Sequence, residues 1–75
     1  MTKLAGISGK ILVKALTRLG YEVVRQRGSH IRLSHPDSKN YPKITVPNHK
    51  EVKIGLLNKI LKDVHIEPDE FLKLL

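Results

Sequence analysis

The stretch Tyr21-Glu22-Val23-Val24-Arg25-Gln26-Arg27-Gly28-Ser29-His30-Ile31-Arg32-Leu33-Ser34-His35-Pro36 decides the fold. Its first seven residues are rich in β-formers and show no helical stripe, which predicts a strand over 21–27. Gly28-Ser29 supplies a tight two-residue turn. Over 30–35 the chain alternates: Ile31 and Leu33 point one way, His30, Arg32 and Ser34 the other. Downstream, Pro36-Asp37-Ser38-Lys39-Asn40 has loop composition. A third strand is expected over 41–46, with Ile44 and Val46 on its apolar side. Pro47 ends it, because proline cannot donate to a central ladder.

Helices flank these strands. Ser8 suits an N-cap, where its hydroxyl accepts from a free backbone N–H, and Ile7 can staple onto Leu12 across the cap. Ile11, Leu12, Ala15, Leu16 and Leu19 then form one apolar stripe, with Lys10, Lys14, Thr17 and Arg18 opposite. Gly20 fits the C′ position after this helix. On the other side, Asn48-His49-Lys50-Glu51 resembles a capping box, with Asn48 as N-cap and Glu51 at N3. Val52, Leu56, Leu57, Ile60, Leu61 and Val64 make the buried side of a second helix, and Lys53, Lys59 and Lys62 its polar side. Pro68 opens a short terminal helix. Asp69 and Glu70 lie near its positive end, and Phe71 and Leu72 dock it on the core. The expected fold is α+β: α-β-β-β-α, a three-stranded antiparallel sheet with two helices on one face plus a short C-terminal helix. The other sheet face is left open, with His30 and Arg32 on it.

Size and charge narrow what such a fold can do. The chain has 75 residues, 14 Lys+Arg against 7 Asp+Glu, a net charge of +7 and no cysteine. One domain over residues 1–75 is expected. A chain this short hides only about 60% of its unfolded surface, so a deep cavity for a large cofactor is not expected. Without cysteine there are no disulfides, thiol nucleophiles or Cys-based zinc sites. Residues 1–62 hold 13 basic and three acidic side chains, a net of +10, and the last 13 residues have a net of −3. A basic body of this kind favours a polyanionic partner. No apolar run approaches the roughly 20 residues of a membrane span. Lys3, Lys10, Lys14 and Arg18, with no acid among them, resemble an amphipathic targeting or membrane-surface segment. Removing that segment would strip an already small core, so it is read as part of the domain.

Histidine is the side chain best suited to exchange protons near neutral pH, and the chain has four. His30 follows the turn on the polar side of its strand, close in sequence to Arg25, Arg27 and Arg32. A histidine in that setting can take a proton from a ribose hydroxyl or give one to a leaving oxygen, while arginines hold the phosphate. Read from position alone, an ordinary exposed strand histidine is the competing reading. His35 shapes the turn before Pro36. His49 is either a capping-region residue or an RNA contact, and His65 is structural. There is no HExxH pattern or carboxylate cluster near His30, so no metal and no cofactor are expected. Tyr21, Tyr41 and Phe71 are the only aromatic rings. That is too few for a reader that stacks single strands, and it favours contact through phosphates, 2′-hydroxyls and helical shape.

With these residues in place, the sequence resembles the HicA family of bacterial and archaeal toxins. The most specific part is G-S-H-x4-H-P, at Gly28-Ser29-His30 through His35-Pro36. V-P-x-H follows at Val46-Pro47-Asn48-His49, then a Lys-rich helix with Gly55 and Ile60-Leu61. The resemblance implies a fold like the double-stranded RNA-binding domain, and a metal-independent ribonuclease that cleaves mRNA in the cytoplasm and blocks translation. It implies His30 as the catalytic residue and a HicB-like antitoxin as partner. Gly28, Ser29, Arg25, Arg27, Arg32, His49, Lys50 and Lys53 are the candidates for holding RNA. Leu56 stands where the family often has Thr, which is read as a packing variation. Two other classes fit the charge: a non-catalytic double-stranded RNA-binding module of the same fold, and a protein-interaction domain with an acidic partner. Salt-sensitive RNA affinity without cleavage marks the first; a tight protein complex without RNA affinity marks the second.

Overall fold

The computed structural model describes residues 4–75; Lys3 of the basic N-terminal run lies outside them. The elements run α1 (Gly9–Arg18), β1 (Glu22–Arg27), β2 (His30–Ser34), β3 (Ile44–Pro47), α2 (Ile54–Asp63) and α3 (Pro68–Lys73). The sheet is antiparallel, in the order β1-β2-β3. This is the α+β, α-β-β-β-α arrangement that the sequence pattern predicts, and it is consistent with the double-stranded-RNA-binding-domain-like fold that the resemblance implies.

Ser8 caps α1 by accepting from the Ile11 N–H at 3.1 Å. The helix ends as expected at Gly20, whose φ is +103°. The Gly20 N–H bonds to the Thr17 carbonyl and the Tyr21 N–H to the Leu16 carbonyl, the paired bonds of a Schellman motif. Because the Tyr21 N–H is taken, β1 starts one residue later than predicted. The turn at Gly28-Ser29 has positive φ only at its first central residue, Gly28 at +57°, which is the signature of the hairpin type II′ turn.

Leu12, Ala15 and Leu16 of α1 meet Ile31 and Leu33 of β2, Ile44 and Val46 of β3, and Leu57, Ile60 and Leu61 of α2 in one buried cluster. Each fully buried Leu or Phe in it contributes about 1.5–3 kcal/mol relative to exposure. Leu4, Ile7, Tyr21, Val52, Val64 and Phe71 complete the core. The Arg18 guanidinium donates to the Leu74 carbonyl at 2.7 Å, tying the end of α1 to the residue that follows α3.

Three expectations need correction. Ile11 is 38% exposed, so the buried stripe of α1 is narrower than the sequence pattern suggests; a three-stranded sheet covers only one narrow face of a helix. β3 begins at Ile44 instead of residue 41. The Tyr41 N–H bonds to the Asp37 carbonyl, and the Pro42 carbonyl accepts from the Tyr21 hydroxyl at 2.7 Å, so neither residue is available for the ladder. The third correction is the capping box. α2 starts at Ile54 with Lys53 as a bare N-cap. The N–H groups of Asn48 and Val52 instead bond to the Ser29 and Ile7 carbonyls, and the His49 carbonyl accepts from Gly9. These tertiary bonds hold 48–52 out of the helix. The Glu51 carboxylate accepts from the Gly6 N–H at 3.4 Å, not from Asn48.

The open face depends on an irregularity that alternation alone did not reveal. Val23 pairs with Leu33, but the next pair is Arg25 with Arg32, which leaves Val24 as the extra residue of a β-bulge. Cross-strand partners share a face. Val23 therefore lies on the core side with Leu33, while Arg25 and Arg27 shift to the face of Arg32 and His30.

Candidate functional site

β2 and its neighbours set the site. His30 is the first residue of β2, exposed, paired with Arg27 on one side and Pro47 on the other. Arg25 and Arg32 pair one step further along, and Thr45 pairs with Arg32. The open face thus carries Arg25, Arg27, His30, Arg32 and Thr45, all exposed. Arg32 is steadied by donating from Nη1 to the Thr45 hydroxyl at 3.3 Å. Glu22, opposite Ser34, is the one acid on the strands, at the far end of this face. Three guanidiniums without a carboxylate among them make a fork-shaped anion surface of the kind that binds phosphates in pairs of hydrogen bonds.

Gly28 and Ser29 turn the chain immediately before His30. The Ser29 carbonyl accepts from the Asn48 N–H at 2.6 Å, and the Gly9 N–H donates to the His49 carbonyl at 2.9 Å. The β1–β2 turn, the segment after β3 and the start of α1 are therefore clamped together through the main chain. A Cβ on Gly9 would overlap the Pro47 carbonyl, so only glycine permits this approach. Between these segments lies a shallow groove of ≈ 310 Å³, lined by Ser8, Lys10, Asn48, His49 and Lys50.

His49 and Lys50, both sequence candidates, are thereby brought beside the turn that carries His30. His49 does not lie in a helical first turn, because α2 begins five residues later. Lys53 is exposed at the N-cap of α2 and joins neither the groove nor the sheet face. Lys10, Ser8, Asn48 and Thr45 were not singled out for the site from the sequence. Thr45 had a usable signal, its alternation with Ile44 and Val46. Lys10 had none, since its place depends on the contact between Gly9 and the segment after β3.

The other two histidines are occupied. The Asp37 N–H donates to Nδ1 of His35 at 3.0 Å, which requires that nitrogen to be unprotonated. Nε2 then carries the proton and donates to the Leu19 carbonyl at 2.9 Å. The ring stacks on Tyr41 with centroids 4.2 Å apart and meets the edge of Tyr21 at 5.0 Å. His65 is the one described non-glycine residue with positive φ, at +59°. It ends α2 in a second Schellman motif, and its Nε2 donates to the Asn40 carbonyl at 3.0 Å. Both act structurally, as the sequence suggests. Leu56 is half-buried against the core, in keeping with a packing role.

Among the described residues, no three His, Cys, Asp or Glu side chains converge as metal ligands. No described helix is long and apolar enough to cross a membrane. No curated protein matches the chain. The family model described as HicA toxin of bacterial toxin-antitoxin matches residues 9–66, which span both long helices and the whole sheet. With the G-S-H turn, the open basic sheet and the helix order all inside the matched region, the chain belongs to the HicA toxin family.

Proposed function

We propose that this toxin is a metal-independent endoribonuclease that cleaves mRNA and so inhibits translation, with His30 as a general acid/base. One observation carries the reading: an exposed histidine whose side chain makes no hydrogen bond among the described residues stands on an open sheet face with Arg25, Arg27 and Arg32. The arginines hold phosphates along the RNA. His30 exchanges a proton with the ribose 2′-hydroxyl or the leaving oxygen. Gly28 lets the backbone approach the substrate closely, Ser29 sits beside it in the turn, and His49 and Lys50 extend the binding surface past the turn. A substrate lying across an open face suits a domain too small for a deep pocket.

Membership in a toxin–antitoxin family implies an antitoxin partner. A HicB-like protein that covers the open face would silence the enzyme, and the site of action is the cytoplasm, where mRNA is translated. Expression of wild type and His30→Ala in a host, with transcript integrity and growth followed, tests the reading. Wild type is expected to degrade transcripts and stop growth, and the variant to do neither. Equal cleavage by both removes His30 from the mechanism. Salt-sensitive RNA binding without any cleavage by wild type indicates the non-catalytic RNA-binding module instead.

A further inference from the structure

We propose that His49 is the second proton-transfer residue of the site, completing with His30 the acid–base pair that RNA cleavage requires. This inference rests on the ribonuclease reading above and deepens it. Cleavage by a neighbouring hydroxyl moves two protons. The 2′-oxygen attacks phosphorus and loses its proton to a neutral imidazole. The bond from phosphorus to the 5′-oxygen breaks, and that oxygen takes a proton from an imidazolium. The products are a 2′,3′-cyclic phosphate and a 5′-hydroxyl, with the two histidines left in exchanged protonation states. A single histidine cannot do both in one step.

The structure separates the four histidines into two kinds. His35 and His65 use ring nitrogens to hold the Leu19 and Asn40 carbonyls. His30 and His49 are exposed and have no side-chain partner among the described residues. These two are also the pair that the sheet brings together. His30 pairs with Pro47 across β2 and β3, which puts their Cα atoms about 4.5–5.5 Å apart. His49 follows two residues later, adding at most about 7 Å. The two Cα atoms thus lie within about 13 Å of each other, a span that admits one phosphodiester between two imidazoles. The main-chain bonds Asn48 to Ser29 and Gly9 to His49 fix the two backbones relative to each other, so the spacing does not depend on a mobile loop. The groove beside His49 adds Lys10 and Lys50, which can hold the phosphate of an adjacent nucleotide. The wider depression along α1, lined by Lys10, Ile11, Val13, Lys14 and Thr17, has only lysines to offer as titratable groups.

The test uses two oligoribonucleotides: one natural, and one with sulfur in place of the 5′-bridging oxygen at the position wild type cuts. A thiolate leaves without being protonated, so sulfur restores cleavage to an enzyme that lacks its general acid and not to one that lacks its general base. His49→Ala and His49→Gln are expected to lose about 10²–10⁴-fold in cleavage of the natural strand at saturating RNA, with melting temperature unchanged. One of His30→Ala and His49→Ala, and not both, is expected to recover near wild-type cleavage on the sulfur strand. Wild-type cleavage of the natural strand by both His49 variants overturns the assignment. So does recovery of neither or of both alanine variants, or a loss that saturating RNA abolishes. Wild type leaving the natural strand intact overturns the ribonuclease reading itself.

Discussion

The two ends of β2 each have a histidine and use it in opposite ways. Beyond the C-terminal end, His35 has both ring nitrogens engaged and its faces covered by Tyr21 and Tyr41. A Cβ on Gly20 would come within 2.7 Å of its Nε2, so even the helix end is shaped around the ring. At the N-terminal end, the main chain of Ser29 and His49 is bonded while the side chains of His30 and His49 stay exposed. Polar groups shielded from water find partners inside the molecule, and half-buried His35 has found them. The same residue type left unpaired on a solvated face costs the fold little and is available to a ligand. One strand thus serves as a fastening at one end and a working surface at the other.

Replacing each histidine by alanine should separate the two roles most widely. His30→Ala is expected to lower RNA cleavage by about 10²–10⁴-fold and to change stability by less than about 0.5 kcal/mol. His35→Ala is expected to do the reverse. It orphans the Asp37 N–H and the Leu19 carbonyl and opens space beside Tyr41, for a loss of about 1–3 kcal/mol, with activity per folded molecule retained. Cleavage assays alongside urea titrations check both. Comparable stability losses in the two variants would erase the distinction.

Gly9→Ala tests the clamp at the working end. The added methyl meets backbone, not a flexible side chain, so the segment after β3 must move. A destabilisation of about 1–3 kcal/mol is expected, together with lost activity, although Gly9 bears no functional group. Chemical denaturation and cleavage measured on the same preparation check this. Full activity at wild-type stability would show that the approach of α1 to Pro47 is dispensable.

These two predictions also mark how much the sequence alone discloses. The hairpin, the Ser8 cap, the Gly20 helix end and the outward placement of His30 rest on interactions within a few residues, and local pattern reveals them. The start of α2 was misplaced because Asn48 and Val52 spend their N–H groups on residues 19 and 45 positions away. The grouping of Lys10 with His49 has the same origin. Arg25 and Arg27 are candidates by their nearness to His30 in sequence, but strict alternation puts them on the same side as Val23; the Val24 bulge is what turns them to the open face.

A smaller effect is expected on the sheet face. Arg25→Ala, Arg27→Ala and Arg32→Ala should each weaken RNA binding across sequences and reduce the steepness of the salt dependence by about one phosphate contact. Arg32→Ala also releases the Thr45 hydroxyl. Binding measured over a salt series checks this; an unchanged slope in all three places the RNA elsewhere.

The smallest effect lies at the fastened end. Burial, then the nearby Asp63 charge and Tyr41, raise the Tyr21 pKa above its ordinary value of 10.0. A phenol is neutral when protonated, so a raised folded-state pKa favours folding below pH 10 and loses that contribution as pH climbs through the folded value. Tyr21→Phe removes the bond to the Pro42 carbonyl, at a cost of about 1 kcal/mol near neutral pH. It should also flatten the decline in stability above pH 10. Melting temperatures of both proteins between pH 8 and 11 check the sign.

The clamps around His30 have a consequence for how such a protein can change. Asn48 to Ser29, Gly9 to His49 and Val52 to Ile7 are bonds between main-chain atoms, and every residue but proline carries both groups. The side chains at positions 29, 48 and 49 can therefore be exchanged without dismantling the frame that positions them. A library randomised at positions 29 and 48 should yield mostly folded proteins that differ in the RNA they prefer, while one randomised at positions 35 and 41 should yield mostly destabilised ones. Specificity is free to drift where the backbone does the holding, and is frozen where side chains do.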